Sequence, residues 1–459
     1  MSADAPPSRR GGEPRLTRRA LVAGAGAAFA TFAARPAAAR GRLPVGGRIA
    51  LRVPWPVGAI DPHRIDDVPA ALFGDALFDA LYAQIESGAI APALAEGDPE
   101  PDGDGLRVRI RGGVTTAQGR PIDARDVVAS LSRARAAGGQ AWLAEVPPPG
   151  RVDRLAVRFA MRDAAKLTRA LASPIAAIVP LAFAPDRPDG TGPFRAERRA
   201  DAWVLARNPR AARGPSLLDE IVVRAAPDLA ASLRSFESGA DDLGWLGSGL
   251  HEPRAGAKPF DHGVVAWAVL RAGREAGAWD QPGVPQRVCD GIAPSRLSYL
   301  VLGPAWSADR EEGWSGPPAD VIVREDAPWL IELARAVAAT LTRPGHELSV
   351  RPLTPTDFAQ RRSSRAFALA IDAARSLAPS PLGQLAGLAT ADNAAAATDV
   401  VKHPPRLAEA PARTLTRTMR VGVLGEIRMQ GARIADLAVP PSPSAGWDLG
   451  LATRARRTP

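Results

Sequence analysis

Tryptophan and carboxylate side chains are the residues of this chain whose chemistry points to ligand binding. The sequence has ten Trp and only two Tyr, and an indole offers a broad apolar face with one hydrogen-bond donor, which suits the wall of a cleft. Trp245 follows two acids, Asp241 and Asp242, in a glycine-rich stretch. Trp245 is therefore the first cleft candidate, and Trp55 and Trp267 are the next. Packing in a hydrophobic core is the alternative role for each of these three indoles.

Side chains with the spacing of a catalytic or metal site are not found in the sequence. It has no Gly-x-Ser-x-Gly elbow, no His-Glu-x-x-His, no Cys-x-x-Cys and no glycine pattern for a nucleotide. The five histidines are dispersed, and the single cysteine, Cys289, is expected to be a small buried residue. We therefore expect a protein that binds without a cofactor or metal and is not an enzyme. A hydrolase whose catalytic residues are distant in sequence stays open, because triads are defined by geometry.

The charge of the chain does not indicate a nucleic-acid partner. The formal net charge is +9, but the basic residues are mostly Arg, are scattered singly and are interleaved with Asp and Glu. No basic stretch is interleaved with aromatic residues that could stack on bases. A hydrophobic share of 46% with 23% charged residues is typical of a globular protein, and a length of 459 residues predicts two or three domains.

The first 40 residues have the pattern of an export signal. A basic stretch ends in Arg18-Arg19, an uncharged run extends over 20–34, and Ala37-Ala38-Ala39 offers a small-residue cleavage site. This pattern is similar to a twin-arginine signal and predicts a signal peptide over 1–40; a basic tail with a chance Arg pair is the alternative. The uncharged run is shorter than the roughly 20 apolar residues that span a bilayer. We therefore expect no integral membrane segment in the mature chain.

Strand and helix patterns alternate along the rest of the chain. Apolar residues with helical spacing predict a helix over 70–82, and period-two alternation predicts a strand over 106–110. Asp123 is predicted to cap the next helix, because an Asp side chain accepts from free N–H groups of the first turn. Segment 320–371 alternates strand, helix, strand, helix and strand, with the last strand over 367–371, which predicts a parallel α/β unit.

Two segments carry ordered motifs. Residues 116–131 contain Gly119-Arg120-Pro121-Ile122-Asp123-Ala124-Arg125-Asp126-Val127, with Gln118 before them, and 190–239 begin with Gly-Thr-Gly-Pro-Phe, continue with Leu218-Asp219-Glu220-Ile221 and end a helix at Gly239. These series resemble extracellular solute-binding protein family 5, the peptide and nickel receptors of ABC importers, where Asp is usual at the place of Gln118. The glycines at 190 and 192 are expected to adopt positive φ in a tight crossing between lobes.

The resemblance also implies where a ligand would be anchored. In peptide receptors of this family, the strand corresponding to 367–371 leads to a Trp and then to an Asp that captures the α-amino group of the ligand. This chain has Ala374 and Leu377 at those places, and an ammonium group without a carboxylate is costly to bury. We therefore expect peptides to bind weakly and the ligand to be neutral or anionic. The candidate binding residues are Trp245, Asp242, Asp372, Arg375, Trp267 and Trp55.

The resemblance implies an α/β fold of the two-lobed periplasmic binding protein class, type II-like, with the extra small domain of the peptide-binding family. In this chain it implies lobe I over 41–71, 180–262 and 401–459, the small domain over 72–179, and lobe II over 263–400. The implied function is the periplasmic substrate-binding protein of an ABC transporter, a monomer that traps a small solute by hinge closure and delivers it to a membrane permease. Two alternatives stay open: a degenerate member that serves as sensor or scaffold, and a twin-arginine-exported enzyme.

Overall fold

The structure is a computed structural model of the chain. It describes residues 45–53, 57–226, 229–245, 254, 256–293, 313–378, 380–405, 411–442 and 446–455. The predicted signal segment lies outside these ranges. Within them, no helix is both long and apolar enough to cross a membrane, and no group of three or more His, Cys, Asp or Glu side chains could hold a metal ion.

Strands and helices alternate through the described residues. The strands are β1 (Arg48–Val53), β2 (Tyr82–Gln84), β3 (Ile90–Pro92), β4 (Glu100–Asp102), β5 (Gly105–Arg109), β6 (Gly150–Arg151), β7 (Ala156–Phe159), β8 (Phe194–Arg199), β9 (Ala202–Arg207), β10 (Glu220–Ala225), β11 (Leu243–Trp245), β12 (Lys258–Ala272), β13 (Ala319–Arg324), β14 (Leu348–Leu353), β15 (Leu369–Arg375), β16 (Val421–Arg433), β17 (Leu437–Ala438) and β18 (Thr453–Arg454). The helices are α1 (Val68–Leu77), α2 (Ala124–Ala134), α3 (Ala164–Leu171), α4 (Leu229–Glu237), α5 (Val284–Asp290), α6 (Pro328–Leu341), α7 (Pro355–Ser364), α8 (Pro381–Asp392), α9 (Ala394–Lys402) and α10 (Pro411–Thr416).

A ten-stranded sheet forms the centre of the described structure, in the order β14-β13-β15-β12-β16-β11-β1-β10-β9-β8. At one end β1 pairs in parallel with β10 and β11, and β8, β9 and β10 are antiparallel neighbours. Ile49, Leu51 and Val53 of β1 are fully buried, whereas the residues between them are partly exposed. One face of this strand therefore covers the core.

The other end of the sheet is the parallel unit, which comprises β13, β14 and β15 with α6 and α7. β13 pairs in parallel with both β14 and β15, and the buried residues of α6, among them Leu333 and Val337, follow helical spacing. The predicted alternation of three strands and two helices is confirmed. The last strand begins at Leu369 rather than at 367, so Asp372 and Arg375 lie within it.

Two long strands, β12 and β16, join the two ends of the sheet. Residues 431–433 of β16 pair with both β11 and β12, and residues 266–272 of β12 pair with β15. Register shifts interrupt the pairing of β12 with β16 between Asp261 and Ala266, and such irregularities bend a strand. The predicted boundary between the lobes, after residue 262, falls in this interval; the boundaries of the domains stay a prediction.

The segment 72–179, predicted as the small domain, contains the four-stranded sheet β4-β5-β7-β6 with α2 and α3. Asp123 accepts a hydrogen bond from the N–H of Arg125 at 2.7 Å, and Asp126 accepts from the N–H of Asp123 at 2.8 Å. This reciprocal capping box confirms the predicted cap of α2. The second oxygen of Asp126 accepts from the N–H of Leu181 at 3.0 Å, so the same carboxylate also ties α2 to the chain leaving the domain.

The predicted helix over 70–82 is shorter in the structure. α1 ends at Leu77, and Phe78 has extended backbone angles. The N–H of Gly192 donates to the carbonyl of Leu77 at 3.0 Å, and the N–H of Ile178 donates to that of Asp79 at 2.9 Å. These distant segments take the carbonyl groups that a longer helix would have used, so the predicted helix end was wrong.

The expected reason for glycine at positions 190 and 192, a positive φ, is also wrong. Neither glycine has a positive φ. A Cβ atom at Gly190 would lie 2.1 Å from the carbonyl oxygen of Leu77, and one at Gly192 would lie 2.7 Å from that of Ala76. The chain thus needs glycine at both positions because its backbone passes directly against the end of α1.

Candidate functional site

The loop of residues 60–67, between β1 and α1, is held to the small domain by Asp61, His63 and Arg133. The guanidinium of Arg133, on α2, donates to both carboxylate oxygens of Asp61, at 2.7 and 2.5 Å. It also donates to Nδ1 of His63 at 2.8 Å, and Nε2 of His63 donates to the carbonyl of Ala177 at 2.7 Å. His63 is fully buried, and burial lowers its pKa to about 4. The imidazole is therefore neutral at physiological pH, with its proton on Nε2.

Asp67 is a second buried acid of the loop. One carboxylate oxygen caps α1 by accepting from the N–H of Ala70, and the other accepts from the N–H of Asp61, both at 2.9 Å. Burial nevertheless raises the pKa of Asp67 to about 6. The loop thus holds an acid and an imidazole whose pKa values are displaced in opposite directions.

Asp66 joins the loop to the parallel unit. Its Oδ2 lies 2.6 Å from Nη1 of Arg324, on β13, and the two side chains are only 7% and 9% exposed. Arg64 of the loop and Arg362 of α7 lie 3.0 and 3.8 Å from the same carboxylate. Burial opposes ionisation of Asp66, but the three guanidinium groups hold its pKa well below the ordinary value. This is a buried ion pair between elements that are far apart in the sequence.

Arg375, at the end of β15, contacts the same loop. Its N–H donates to the carbonyl of Ile65 at 2.9 Å, and its Nη2 donates to the carbonyl of Pro62. The residue is only 2% exposed, and its Nε has no hydrogen-bond partner among the described residues. Burial lowers the pKa of Arg375, and the carboxylates of Asp67, Asp61 and Asp75 oppose that effect. An arginine stays protonated in proteins, so Nε of Arg375 is a charged donor for which the described residues supply no acceptor.

A cavity of about 60 Å³ lies beside Arg375. A second cavity of about 20 Å³ is lined by Arg375 and Asp75 as well. Cavities of this size hold a few water molecules, whereas small-molecule pockets commonly measure about 300–1,000 Å³. The polar side chains that line the larger cavity include Asp75, Asp79, Arg213, Arg375, Ser442 and Asp448.

Both signs of charge occur in the wall of the larger cavity. Nε of Arg213 donates to Asp79 at 2.5 Å, and the hydroxyl of Thr191 donates to the other oxygen of Asp79 at 2.8 Å. The carboxylate of Asp79 raises the pKa of Arg213, burial opposes this, and Asp75 and Asp448 add to the increase. The wall thus contains three carboxylates and two guanidinium groups, of which Asp79 and Arg213 pair with each other.

Among the predicted binding residues whose side chains are described, Arg375 alone lines this cavity. Asp372 lies 3.2 Å from Arg271 and 3.5 Å from Arg362 and is 1% exposed. Asp242 accepts from the N–H of Ala50 at 2.9 Å and lies 3.1 Å from Arg454. Both carboxylates are thus engaged within the protein, and their predicted part in binding stays a prediction.

The structure describes the side chain of only one of the three predicted tryptophans. Trp267, in β12, is 3% exposed and packs in a hydrophobic cluster, with no hydrogen-bond partner for Nε1 among the described residues. The backbone of Trp245 ends β11 opposite Gly431 of β16. The indole of Trp245 and all of Trp55 lie outside the described residues, so their roles also stay predictions.

Asp75, Asp79 and Arg213 are absent from the predicted binding residues. Asp75 and Asp79 are the only charged residues within 70–82, a segment otherwise apolar. Two acids in such a segment are a usable signal, because a buried carboxylate requires a partner. For Arg213 the sequence contains no comparable signal, since it is one of many scattered arginines.

Comparison with known families and structures adds the following findings. The family model described as bacterial extracellular solute-binding proteins, family 5 Middle, matches residues 89–258. No curated protein matches the sequence. At 13–15% sequence identity, the structural likenesses described next concern the fold alone.

Three solved structures illustrate the likeness. The murein tripeptide binding protein MppA of Escherichia coli has a TM-score of 0.64 at 14% identity, over 90% of this chain and 100% of its own. The oligopeptide-binding protein AppA of Bacillus subtilis, in complex with a nonapeptide, has a TM-score of 0.60 at 14% identity, with the same coverage. NikA of Brucella suis, in complex with Fe(III)-EDTA, has a TM-score of 0.56 at 15% identity, over 89% of this chain and 100% of its own.

Proposed function

We propose that this chain is the substrate-binding protein of an ABC importer. We also infer that it is a divergent member of the bacterial extracellular solute-binding proteins of family 5, with their two-lobed α/β fold. Solved proteins of this fold are named as binders of peptides, such as AppA and MppA. The position of the cavity supports the same role for this chain. It lies beside Arg375, where the loop 60–67 of lobe I meets β15 of lobe II.

Binding would occur by closure of the lobes about β12 and β16. The cavity of about 60 Å³ is well below the roughly 300 Å³ at which ligand pockets begin, so a solute would enter only when the lobes are apart. Closure then brings Arg375 to the loop 60–67. We keep the predicted boundaries for this division: lobe I over 41–71, 180–262 and 401–459, the small domain over 72–179 and lobe II over 263–400.

Capture by closure needs no catalytic group, and the solved proteins that resemble this chain are named as binding proteins. We therefore propose a protein without enzymatic activity that acts as a monomer, reaches the periplasm by the twin-arginine route and delivers its solute to a membrane permease. The sequence motifs Arg18-Arg19 and Ala37-Ala38-Ala39 support the export step. A cofactor spectrum in the purified protein would favour the exported-enzyme alternative instead.

Native mass spectrometry of freshly purified protein tests the binding function. We expect a small molecule to accompany the protein, and small-angle X-ray scattering to show expansion when that molecule is removed by dialysis. The variant Asp201→Asn is a suitable control, because its carboxylate is 78% exposed and its cationic neighbour at 3.7 Å, Arg224, is itself 30% exposed. If no small molecule accompanies the protein and no solute of a metabolite library raises its melting temperature, the chain is not a solute receptor.

A degenerate receptor that serves as sensor or scaffold is the second candidate. One observation favours it: the buried pair Asp66–Arg324 and the donation from Arg375 to Pro62 hold the lobes together by contacts within the chain itself. Scattering decides between the two candidates. A scaffold would keep the same dimensions with and without any solute, whereas a receptor would contract on binding.

A further inference from the structure

We infer that His63 makes closure of the lobes sensitive to acid: a proton on its imidazole releases the loop 60–67 from α2 and thereby weakens the contacts of the loop with β13 and β15. This regulation rests on the proposed function, because it acts on the closure that captures the solute. The loop carries contacts of both kinds, since His63 accepts from Arg133 of α2 at 2.8 Å, whereas Asp66 pairs with Arg324 of β13 at 2.6 Å. One loop therefore links an ionisable group to the contact between the lobes.

Both ring nitrogens of His63 are engaged within the protein. Nδ1 lies 2.8 Å from Nη1 of Arg133, and Nε2 lies 2.7 Å from the carbonyl oxygen of Ala177. A guanidinium group only donates and a carbonyl oxygen only accepts, so the neutral imidazole with its proton on Nε2 is the form that fits. A second proton, on Nδ1, would face an N–H of Arg133 and bring two positive charges together. Because His63 is fully buried, water cannot separate these two donors while the ring stays in place.

The charged groups that face His63 are Arg133 of α2, Arg375 of β15 and Asp61 of the loop itself. The two arginines oppose a positive imidazole, whereas Asp61 favours one. The carboxylate of Asp61 is already shared, because it accepts from both terminal nitrogens of Arg133 and from the N–H of His63 at 3.0 Å. Burial lowers the pKa of His63 to about 4, although the carbonyl of Ala177 and the carboxylate of Asp61 oppose this effect. A proton on His63 is therefore costly as long as the loop stays closed.

The acids of the loop do not release it in the same pH range. Burial opposes ionisation of Asp66, but the guanidinium groups around it hold its pKa well below the ordinary value. Burial likewise opposes ionisation of Asp61, but the hydrogen bond and charge of Arg133 lower its pKa. Burial raises the pKa of Asp67 to about 6, so a proton on Asp67 stabilises the fold and works against release. His63 is therefore the group of this loop whose protonation opposes the closed arrangement.

Release of His63 moves the wall of the larger cavity. Pro62, the residue before His63, lines that cavity, and its carbonyl accepts from Arg375. The carbonyl of Ile65, two residues after His63, accepts from the N–H of Arg375 at 2.9 Å. An imidazolium that leaves its place beside Arg133 thus disturbs the contact with β15 on both sides of His63. The lobes then separate, and a solute held between them is released.

Hydrogen exchange of the dialysed protein between pH 7 and pH 4 tests this inference. The reporter is the amide of Arg375, whose exchange rate is divided by the intrinsic rate at each pH to give its protection. With a pKa of His63 of about 4 in the closed protein and about 6.5 in a released loop, the ratio of closed to open molecules falls roughly 100-fold over this range. We expect the protection of the reporter amide to fall by the same factor. Amides of β8–β10, at the far end of the sheet, should keep their protection.

Two variants identify the group that responds to acid. In His63→Gln the new amide can accept from Arg133 and donate to Ala177 but cannot take up a proton, so the protection of the reporter amide should stay constant. In Asp67→Asn it should fall at least as far as in the parent protein, because the opposing effect of Asp67 is removed. If His63→Gln does not fold, NMR titration of isotope-labelled histidines in the parent protein takes its place. His63 should then gain a proton on Nδ1 with the same midpoint as the loss of protection.

Three results would overturn the inference: constant protection of the Arg375 amide in the parent protein, an equal loss of protection in His63→Gln, or an equal loss in β8–β10, which would indicate general unfolding. Native mass spectrometry at pH 7 separates this inference from the proposed function. If a solute accompanies the protein but acid leaves the reporter amide protected, the inference falls and the proposed function stands. If acid releases the loop but no solute accompanies the protein, the acid response of the loop stands and the proposed function falls.

Discussion

Replacement of Asp66 by Asn should loosen the contact between the loop 60–67 and the parallel unit. Oδ2 of Asp66 lies 2.6 Å from Nη1 of Arg324, and the two side chains are 7% and 9% exposed. The amide keeps the volume of the side chain and removes its charge. The buried guanidinium of Arg324 then loses its closest acceptor, and Arg362 loses a carboxylate at 3.8 Å.

The expected magnitude follows from the burial of this pair. Removal of one partner from a buried ion pair costs about 3–5 kcal/mol. Asp326 also contacts Arg324, at 2.7 Å, but its carboxylate is 40% exposed, so it compensates only in part. We therefore expect a loss of about 3 kcal/mol in the free energy of unfolding. The control Asp201→Asn removes a 78% exposed carboxylate, 3.7 Å from Arg224, and should cost roughly 0–1 kcal/mol.

Urea unfolding gives the free energies, and hydrogen exchange shows which segments open. In Asp66→Asn we expect faster exchange of amides in the loop 60–67 and of the amide of Arg375, which donates to the carbonyl of Ile65. Exchange within β8–β10 should match the parent protein, because those strands lie at the far end of the sheet. A loss no greater than that of Asp201→Asn, or faster exchange throughout the sheet, would refute the role given to this ion pair.

Three further predictions concern other parts of the chain. The pKa of about 4 for His63 in the fold means that stability is lost as the pH falls from 6.5 to 4, whereas the pKa of about 6 for Asp67 means that stability is lost as the pH rises from 3.8 to 6. In His63→Gln the effect of Asp67 is no longer opposed, so this variant should lose about 3 kcal/mol of stability as the pH rises through this window. In Asp67→Asn the effect of His63 is no longer opposed, so this variant should lose about 3 kcal/mol as the pH falls. Urea titrations measure both profiles, and flat profiles in both variants would contradict the assignment. Asp123→Ala should cost about 1 kcal/mol of stability and leave ligand affinity unchanged, and calorimetry showing lower affinity at equal stability would assign Asp123 a different role. Changing Arg18 and Arg19 to Lys should leave the protein in the cytoplasm with its N-terminus uncleaved; cell fractionation that finds it in the periplasm excludes the twin-arginine route.

The elements that could be predicted from sequence are those whose signals are local. The parallel unit was predicted because apolar periodicity changes between strand and helix within a few residues. The cap of α2 was predicted because Asp123 and Asp126 satisfy N–H groups in their own turn. The family motifs in 116–131 and 190–239 overlap the segment 89–258 that matches the family model.

The features that could not be predicted depend on partners distant in the sequence. α1 ends at Leu77 because Gly192 takes its carbonyl, and nothing within the helix specifies that partner. The pair Asp66–Arg324 spans 258 positions, and a carboxylate in a loop does not indicate which of many arginines it will meet. Asp75 and Arg375 likewise line one cavity only because the sheet brings α1 and β15 together.

In the proposed function, we expect the loop 60–67 to couple closure of the lobes to occupation of the cavity. Asp66 binds Arg324, and the carbonyl of Pro62 accepts from Arg375, which lines the cavity. Apparent affinity falls in proportion to the population of the closed state. Asp66→Asn should therefore raise the Kd for any bound solute, by at most roughly 150-fold if the whole loss of about 3 kcal/mol falls on closure. Because Asp66 does not line the cavity, the ratio of affinities for two different bound solutes should stay unchanged, as calorimetry can measure. A change in that ratio would mean that Asp66 touches the ligand, and an unchanged Kd would mean that closure does not depend on this pair.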